Sequence, residues 1–268
     1  AGPAPAGPAP SDLPLGAIAG SKEFGILVHE VFERLDFTAP DLDERLAELI
    51  ARRRGVANRQ VDATVLRDGL RAAIESPLGP LFGDGVALRD LAPGDRLAEL
   101  SFECTLATGG PATTDRAIGA LVCAHLAADD PMRPWAERLA AGLFDVDLAG
   151  HLTGSIDAVF RVTDPATGEP RFVAVDYKSN QLRGPDRVAR SVDYAPDRLP
   201  AAMADHHYPL QALIYLVVVH RYLRWRLPDY DPHRHLGGAA YLFVRGMTGA
   251  DTPVVDGHPH GVCTWRVP

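Results

Sequence analysis

The stretch from His151 to Lys178 constrains the fold more than any other part of the chain. Residues 151–161, His-Leu-Thr-Gly-Ser-Ile-Asp-Ala-Val-Phe-Arg, alternate in character and carry β-branched side chains. A turn-forming run, Thr163-Asp-Pro-Ala-Thr-Gly-Glu-Pro, comes next, and then Arg171-Phe-Val-Ala-Val-Asp-Tyr-Lys. Two strand-like runs around a Pro/Gly turn predict a β-hairpin. The second run is apolar until Asp176, so it reads as a buried strand that delivers charge to the end of a sheet. Residues two apart on a strand share a face, which groups Asp176 with Lys178 and sends Tyr177 the other way. Asp157 lies on the partner strand, where the hairpin brings its carboxylate beside Asp176.

Around the hairpin the pattern is mostly helical. Residues 1–20 are Pro/Ala/Gly-rich and read as a linker from another domain, and the start at Ala1 rather than Met leads us to expect a piece of something longer. From Ser21 the apolar positions Phe24, Leu27, Val28, Val31, Phe32 and Leu35 follow the spacing of one helix face. Further helices are expected near 41–53, 59–75, 113–127 and 134–145, with an extended segment over 97–105. Beyond the Arg-rich stretch 180–200, one helix is expected from about Ala201 to Arg226, apolar nearly all round at its centre and hence buried. Leu227-Pro228 and the polar residues 229–235 end it. Strands are expected over 238–245 and 261–267. Helices around a central mixed sheet make this an α/β chain, with a helical part over 21–148 and a catalytic core over 149–268.

Several function classes drop out early. The longest apolar run, Leu213 to Val219, is far short of the roughly 20 residues that cross a bilayer, and the first ten residues hold no apolar block of the signal-peptide kind. Cys104, Cys123 and Cys263 form no CxxC pair, which argues against a disulfide scaffold, a zinc site or an iron–sulfur cluster and for a reducing cytoplasm. No GxxxxGK(S/T) loop occurs, so ATP hydrolysis by that route is excluded.

Two carboxylates and an ammonium meeting at a strand end suit phosphoryl chemistry. The acids can hold a hard cation such as Mg²⁺, which prefers oxygen ligands at about 2.0–2.1 Å. Such a cation acidifies water and polarises the phosphate, and a lysine offsets the charge that develops there. Lysine occurs only at Lys22 and Lys178, every other basic residue being arginine, so Lys178 reads as a position that requires a compact ammonium. The ordinary alternative is a solvated Asp–Lys pair on an exposed strand. The net charge of −8 also runs against a domain that grips DNA unaided.

The run Gly154-Ser-Ile-Asp-Ala-Val-Phe-Arg followed by Val175-Asp-Tyr-Lys-Ser-Asn resembles the PD-(D/E)XK nuclease superfamily. More narrowly, three further stretches are similar to the C-terminal nuclease domain of the RecB family, the beta subunits of bacterial exodeoxyribonuclease V (RecBCD). Phe24-Gly-Ile-Leu-Val-His-Glu-Val-Phe-Glu resembles that family's early helix with a metal-binding histidine. Ala202-Met-Ala-Asp-His-His-Tyr-Pro-Leu-Gln-Ala-Leu-Ile-Tyr resembles its QxxxY helix. The tail from His220 through Tyr241-Leu-Phe-Val-Arg-Gly-Met matches as well. The resemblance covers about residues 21–268, densest over 150–247.

It implies a restriction-endonuclease-like core with an added N-terminal helical region. It makes His29, Asp157, Asp176 and the Tyr177 carbonyl ligands of Mg²⁺, with Mn²⁺ or Ca²⁺ able to substitute, and makes Lys178 the catalytic lysine. Gln211 and Tyr215 become strand contacts or supports of the site, and Glu99 a further acidic site residue with Glu103 as the alternative. It implies metal-dependent exonuclease action on DNA in double-strand-break repair and recombination in the bacterial cytoplasm. Helicase domains of the same polypeptide and RecC-like and RecD-like subunits would feed the strands, which accommodates the acidic balance.

Residue chemistry alone leaves alternatives open. A single histidine such as His29 within a helix is ordinarily a packing or surface residue. Gln211 and Tyr215 share a helix face, where a buried glutamine needs partners of some kind. His206 and His207 are adjacent, so they point apart and make no metal pair. Arg183, Arg187, Arg190 and Arg198 could grip a phosphate backbone or line a solvated loop. The rival functions are an inactive nuclease-fold module that binds DNA or docks subunits, and a glycosidase using Asp157 and Asp176 as paired acids, which would leave Lys178 and His29 idle.

Overall fold

The computed structural model describes residues 12–53, 62–105, 113–145, 147–148, 150–164, 167–183 and 188–266. Three helices come first: α1 (Lys22–Arg34), α2 (Leu42–Arg53) and α3 (Ala63–Glu75). The Ser21 side chain accepts from the Phe24 N–H at 3.1 Å and caps α1, and Asp62 caps α3 through Thr64. Their apolar faces bury Phe24, Leu27, Val31, Leu46, Leu70 and Ile74. Strand β1 (Arg96–Thr105) precedes a two-residue strand β2 (Thr113–Thr114), helices α4 (Asp115–His125) and α5 (Arg133–Ala140), and β3 (Asp147–Leu148), which pairs with β2. Then come the hairpin strands β4 (His151–Thr163) and β5 (Pro170–Lys178). The remainder holds α6 (Leu199–Asp205), α7 (Tyr208–Arg226), α8 (Pro232–His235), β6 (Leu236–Phe243), the small ladder β7 (Val254–Val255) with β8 (His258–Pro259), and β9 (Val262–Trp265).

The main sheet runs β1-β4-β5-β6-β9. β5 and β6 are parallel and the other neighbours antiparallel, so the sheet is mixed as expected. One face, with Phe160, Val173, Val175, Tyr177 and Leu242, packs on α1–α3. The other, with Val159, Ala174, Tyr241 and Phe243, packs on α5, α6 and α7. Both faces are covered, which is why β5 and β6 read as continuous apolar runs.

The predicted helix 201–226 is two helices. His207 sits in the left-handed region at φ 56°, and α7 starts afresh with Pro209 in its first turn. A proline lacks the N–H that a continuous helix would need and clashes with the preceding turn, so it is tolerated only at a helix start. Nor is α7 buried all round: Val217 is 54% and Trp225 75% exposed. The expected strand 261–267 is shorter, β9, and residues 267–268 lie outside the described residues.

Of the stretch read as linker, residues 1–11 lie outside the described residues, and residues 12–20 are anchored. Leu13, Leu15 and Ile18 are buried, and the Arg245 guanidinium donates to the carbonyls of Leu15, Ile18 and Ala19. Among the described residues no helix is long and apolar enough to cross a membrane. The three cysteines are free, and Cys263 is buried.

α4 and α5 meet at Gly119. A Cβ there would lie 2.2 Å from the Ala140 backbone nitrogen, which cannot swing away as a side chain can. Gly119→Ala is therefore expected to cost about 1–3 kcal/mol despite its better helix propensity. A urea melt checks this, and an unchanged or raised midpoint would refute it.

Candidate active site

Asp157 and Asp176 flank the end of the hairpin ladder, which is continuous from Thr163↔Pro170 to Ala158↔Val175. The alternation of faces slips there. Ile156 packs with Tyr215 and Val218 on the α7 side, whereas Ala158 packs with the α1–α3 cluster. On β1 the same level is marked by Glu99, whose φ of 53° breaks its pairing between Ala98↔Ala158 and Leu100↔Ile156. A non-glycine residue held in the left-handed region inside a strand stores local strain, and such strain clusters at functional sites.

The slip turns Asp157 toward α1. Its Oδ2 accepts the Tyr177 N–H at 2.8 Å and lies 3.2 Å from His29 Nδ1. His29 is on the α1 face turned to the sheet, and its imidazole is 42% exposed. Burial works against its charged form, but the hydrogen bond and charge of Asp157, with Asp176 behind, outweigh this and raise its pKa.

Asp176 lies on the other face, as strand alternation predicts. Tyr215 of α7 donates to its Oδ1 at 3.0 Å, and Lys178 Nζ stands 2.6 Å from its Oδ2. Oδ2 is buried, and this charge-assisted contact with the ammonium is what balances it. Burial raises the Asp176 carboxyl above the usual carboxylate range, and Lys178 pulls it back. Lys178 also donates to Gln211 Oε1 at 3.2 Å and lies 3.8 Å from the centre of the Tyr208 ring. Gln211 in turn donates to Tyr215 and accepts from Tyr241, so the half-buried amide is satisfied on both sides.

Two groups thus flank the end of β5, Asp157 with His29 on the α1 side and Asp176 with Lys178, Gln211 and Tyr215 on the α7 side. The two carboxylates therefore face opposite sides of the sheet and are not side by side as the hairpin pattern predicts. Tyr177 adds its backbone N–H, while its ring packs edge-on to Phe32 in the core. Glu99 stands level with Asp157 along β1 but is exposed, and among the described residues it forms no ion pair with His29 or Lys178. Glu103 lies further along, opposite Thr153, and faces His151 at the surface. Arg198 is paired with Asp193 at 3.3 Å, and Arg187 lies outside the described residues. Pattern reading passed over Asn180 and Tyr208. The signal for Tyr208 was its place one turn before Gln211 on the same helix face.

Among the described residues no three His, Cys, Asp or Glu side chains close into a ready-made ion cage, because Asp157 turns to α1 and Asp176 to α7. The donor set nonetheless fits a hard divalent cation. It offers two carboxylates, the oxygen donors that such an ion prefers, with the softer His29 imidazole beside Asp157.

Comparison with known proteins gives the family. The chain is 45% identical to the RecBCD enzyme subunit RecB of Mycobacterium tuberculosis, over 99% of its own length and 24% of that protein. It is 46% identical to the subunit of that name from Mycolicibacterium smegmatis, over 99% and 24%, and 33% identical to that of Escherichia coli, over 89% and 17%. The chain thus spans about a quarter of the length of the first two. The pattern of the PD-(D/E)XK nuclease superfamily matches residues 11–260, and by that match the chain belongs to this superfamily.

Proposed function

We propose that the chain is a Mg²⁺-dependent deoxyribonuclease domain working at the C-terminal end of a RecB-type polypeptide, with residues 12–20 packed as part of the domain and not a linker before it at residue 21. It would cut single strands delivered by the helicase part of that polypeptide and by RecC-like and RecD-like partners, in the bacterial cytoplasm. The similarity to RecB subunits supports the setting, and the acidic composition fits a site fed by others. The observation that carries the chemistry is the Lys178 ammonium, held by Asp176 and Gln211 at the end of β5 beside the Asp157–His29 pair.

Asp157, Asp176, His29 and the Tyr177 carbonyl would hold the cation, which when bound neutralises phosphate charge and acidifies water. The protein's own groups do the rest. Lys178 directs its N–H groups at the phosphate and the entering water, and offsets charge gathering on phosphorus. Tyr215 and Gln211 fix the Asp176 carboxylate and the lysine from the α7 side, so neither reorganises during the reaction. The Tyr177 N–H orients the Asp157 carboxylate by donating to its Oδ2.

The test is cleavage of a single-stranded oligonucleotide by the full-length protein in its native assembly. Cutting is expected with Mg²⁺, to vanish with a chelator and to return when Mg²⁺ is restored. Undiminished cutting in chelator would overturn the cation's role, and no cutting under any divalent ion would leave the inactive-module reading.

A further inference from the structure

Three aromatic rings run in series beside Lys178, from the surface to the sheet. The His206 imidazole stacks on Tyr208 with centroids 5.2 Å apart and 22° between planes, and Tyr208 stacks on Tyr241 at 5.6 Å and 20°. Tyr241 is buried, Tyr208 half-buried and His206 exposed. Lys178 touches this series at its middle ring, through the 3.8 Å cation–π contact with Tyr208.

Asn180, two residues beyond Lys178, ties the outer two rings together. Its amide nitrogen donates to His206 Nε2 at 3.2 Å, and its amide oxygen accepts from the Tyr208 hydroxyl at 3.2 Å. A surface histidine ordinarily swings freely. This one is held by a ring on one contact and an amide on another, so it offers a flat face whose ordering entropy is already lost. His207 does not share the role: it turns away to pack edge-on against Phe144.

A fixed, solvent-facing ring next to a phosphate-directed ammonium matches the chemistry of one nucleotide, flat at the base and anionic at the phosphate. Bases within a duplex are already stacked on both faces, so only an unpaired base can use the ring. We propose that His206 is a stacking platform for an unpaired nucleobase, which sets the strand so that its phosphodiester lies against Lys178. This rests on the nuclease reading above and deepens it by assigning a residue to single-strand preference.

The experiment uses the full-length protein in its assembly with Mg²⁺ and single-stranded oligonucleotides carrying one 2-aminopurine or one abasic nucleotide near the cut. With His206→Ala, KM for the normal strand is expected to rise roughly tenfold, within the range for loss of one base–aromatic stack, while kcat stays nearly constant. His206→Phe restores KM, because it keeps the ring and loses only the Asn180 bond. Quenching of 2-aminopurine is expected in the parent and Phe proteins and lost in the Ala protein. An abasic nucleotide penalises the parent protein and not His206→Ala.

A Phe variant as impaired as the Ala variant would mean that His206 only braces Asn180, and the proposal would fall. It would fall equally if His206→Ala kept the parent KM and quenching. Absence of any cutting by the parent protein would instead defeat the nuclease reading itself.

Discussion

Replacing Lys178 by Gln is expected to lower strand cleavage by about a hundredfold to a thousandfold, the usual loss when a group that stabilises transition-state charge is removed. The effect is not purely chemical. Asp176 is buried, and its Oδ2 has Lys178 as its close charged neighbour. Removing one partner of a buried pair typically costs about 3–5 kcal/mol of stability, because the other charge is left uncompensated. A melt of the variant therefore has to accompany the rate. The double variant Asp176→Asn/Lys178→Gln removes both charges, so it is expected to regain most of the lost stability and none of the lost rate. A fold-recovered double variant with parental cutting would refute the role given to this pair, as would Lys178→Gln cutting at the parental rate.

The largest effect on folding is expected at Arg245, a wholly buried residue. Its Nε donates to the Ser179 carbonyl at 2.8 Å, and its Nη atoms donate to Leu15 at 2.7 Å, Ile18 at 2.6 Å and Ala19 at 3.3 Å. Its guanidinium carbon lies 4.4 Å from the centre of the Phe24 ring. Its pKa is lowered by burial, yet a guanidinium keeps its charge at any ordinary pH. Hydrogen bonds to charged donors contribute about 1.5–3 kcal/mol each, so Arg245→Leu is expected to lose at least about 4 kcal/mol even after the freed carbonyls find water. Arg245→Lys keeps the charge but not the planar fork, and should recover little of this. The readouts are a lowered melting midpoint and faster proteolysis within residues 12–20. Parental stability in Arg245→Leu would show that these segments are held by their apolar side chains alone.

Much of the fold was legible because it is written in short-range periodicity. The stripe from Phe24 to Leu35 gave α1 to within a residue or two, and the run into Asp176-Tyr177-Lys178 gave both the end of β5 and the face of each side chain. What stayed hidden depends on distant partners. Alternation alone does not reveal that Asp157 turns to α1, since the slip at that level comes with a strained residue on β1, across the ladder. The break before α7 was signalled by Pro209, but its apolar neighbours outweighed it in the pattern. The roles of Arg245 and Asn180 come from carbonyls, rings and an imidazole far away in sequence, which no local window contains. Gln211 was readable only as a buried amide in need of partners, and the structure supplies Lys178, Tyr215 and Tyr241.

The candidate site draws on His29, Asp157, Asp176, Lys178, Gln211 and Tyr215, spread over α1, β4, β5 and α7, with Arg245 binding the loop after Lys178 to the segment before α1. A ribosome makes these pieces one after another, and none of them forms the constellation alone. On the nuclease reading proposed above, a half-made chain, or a proteolytic stub cut anywhere between His29 and Tyr215, would lack part of this set and could not cut.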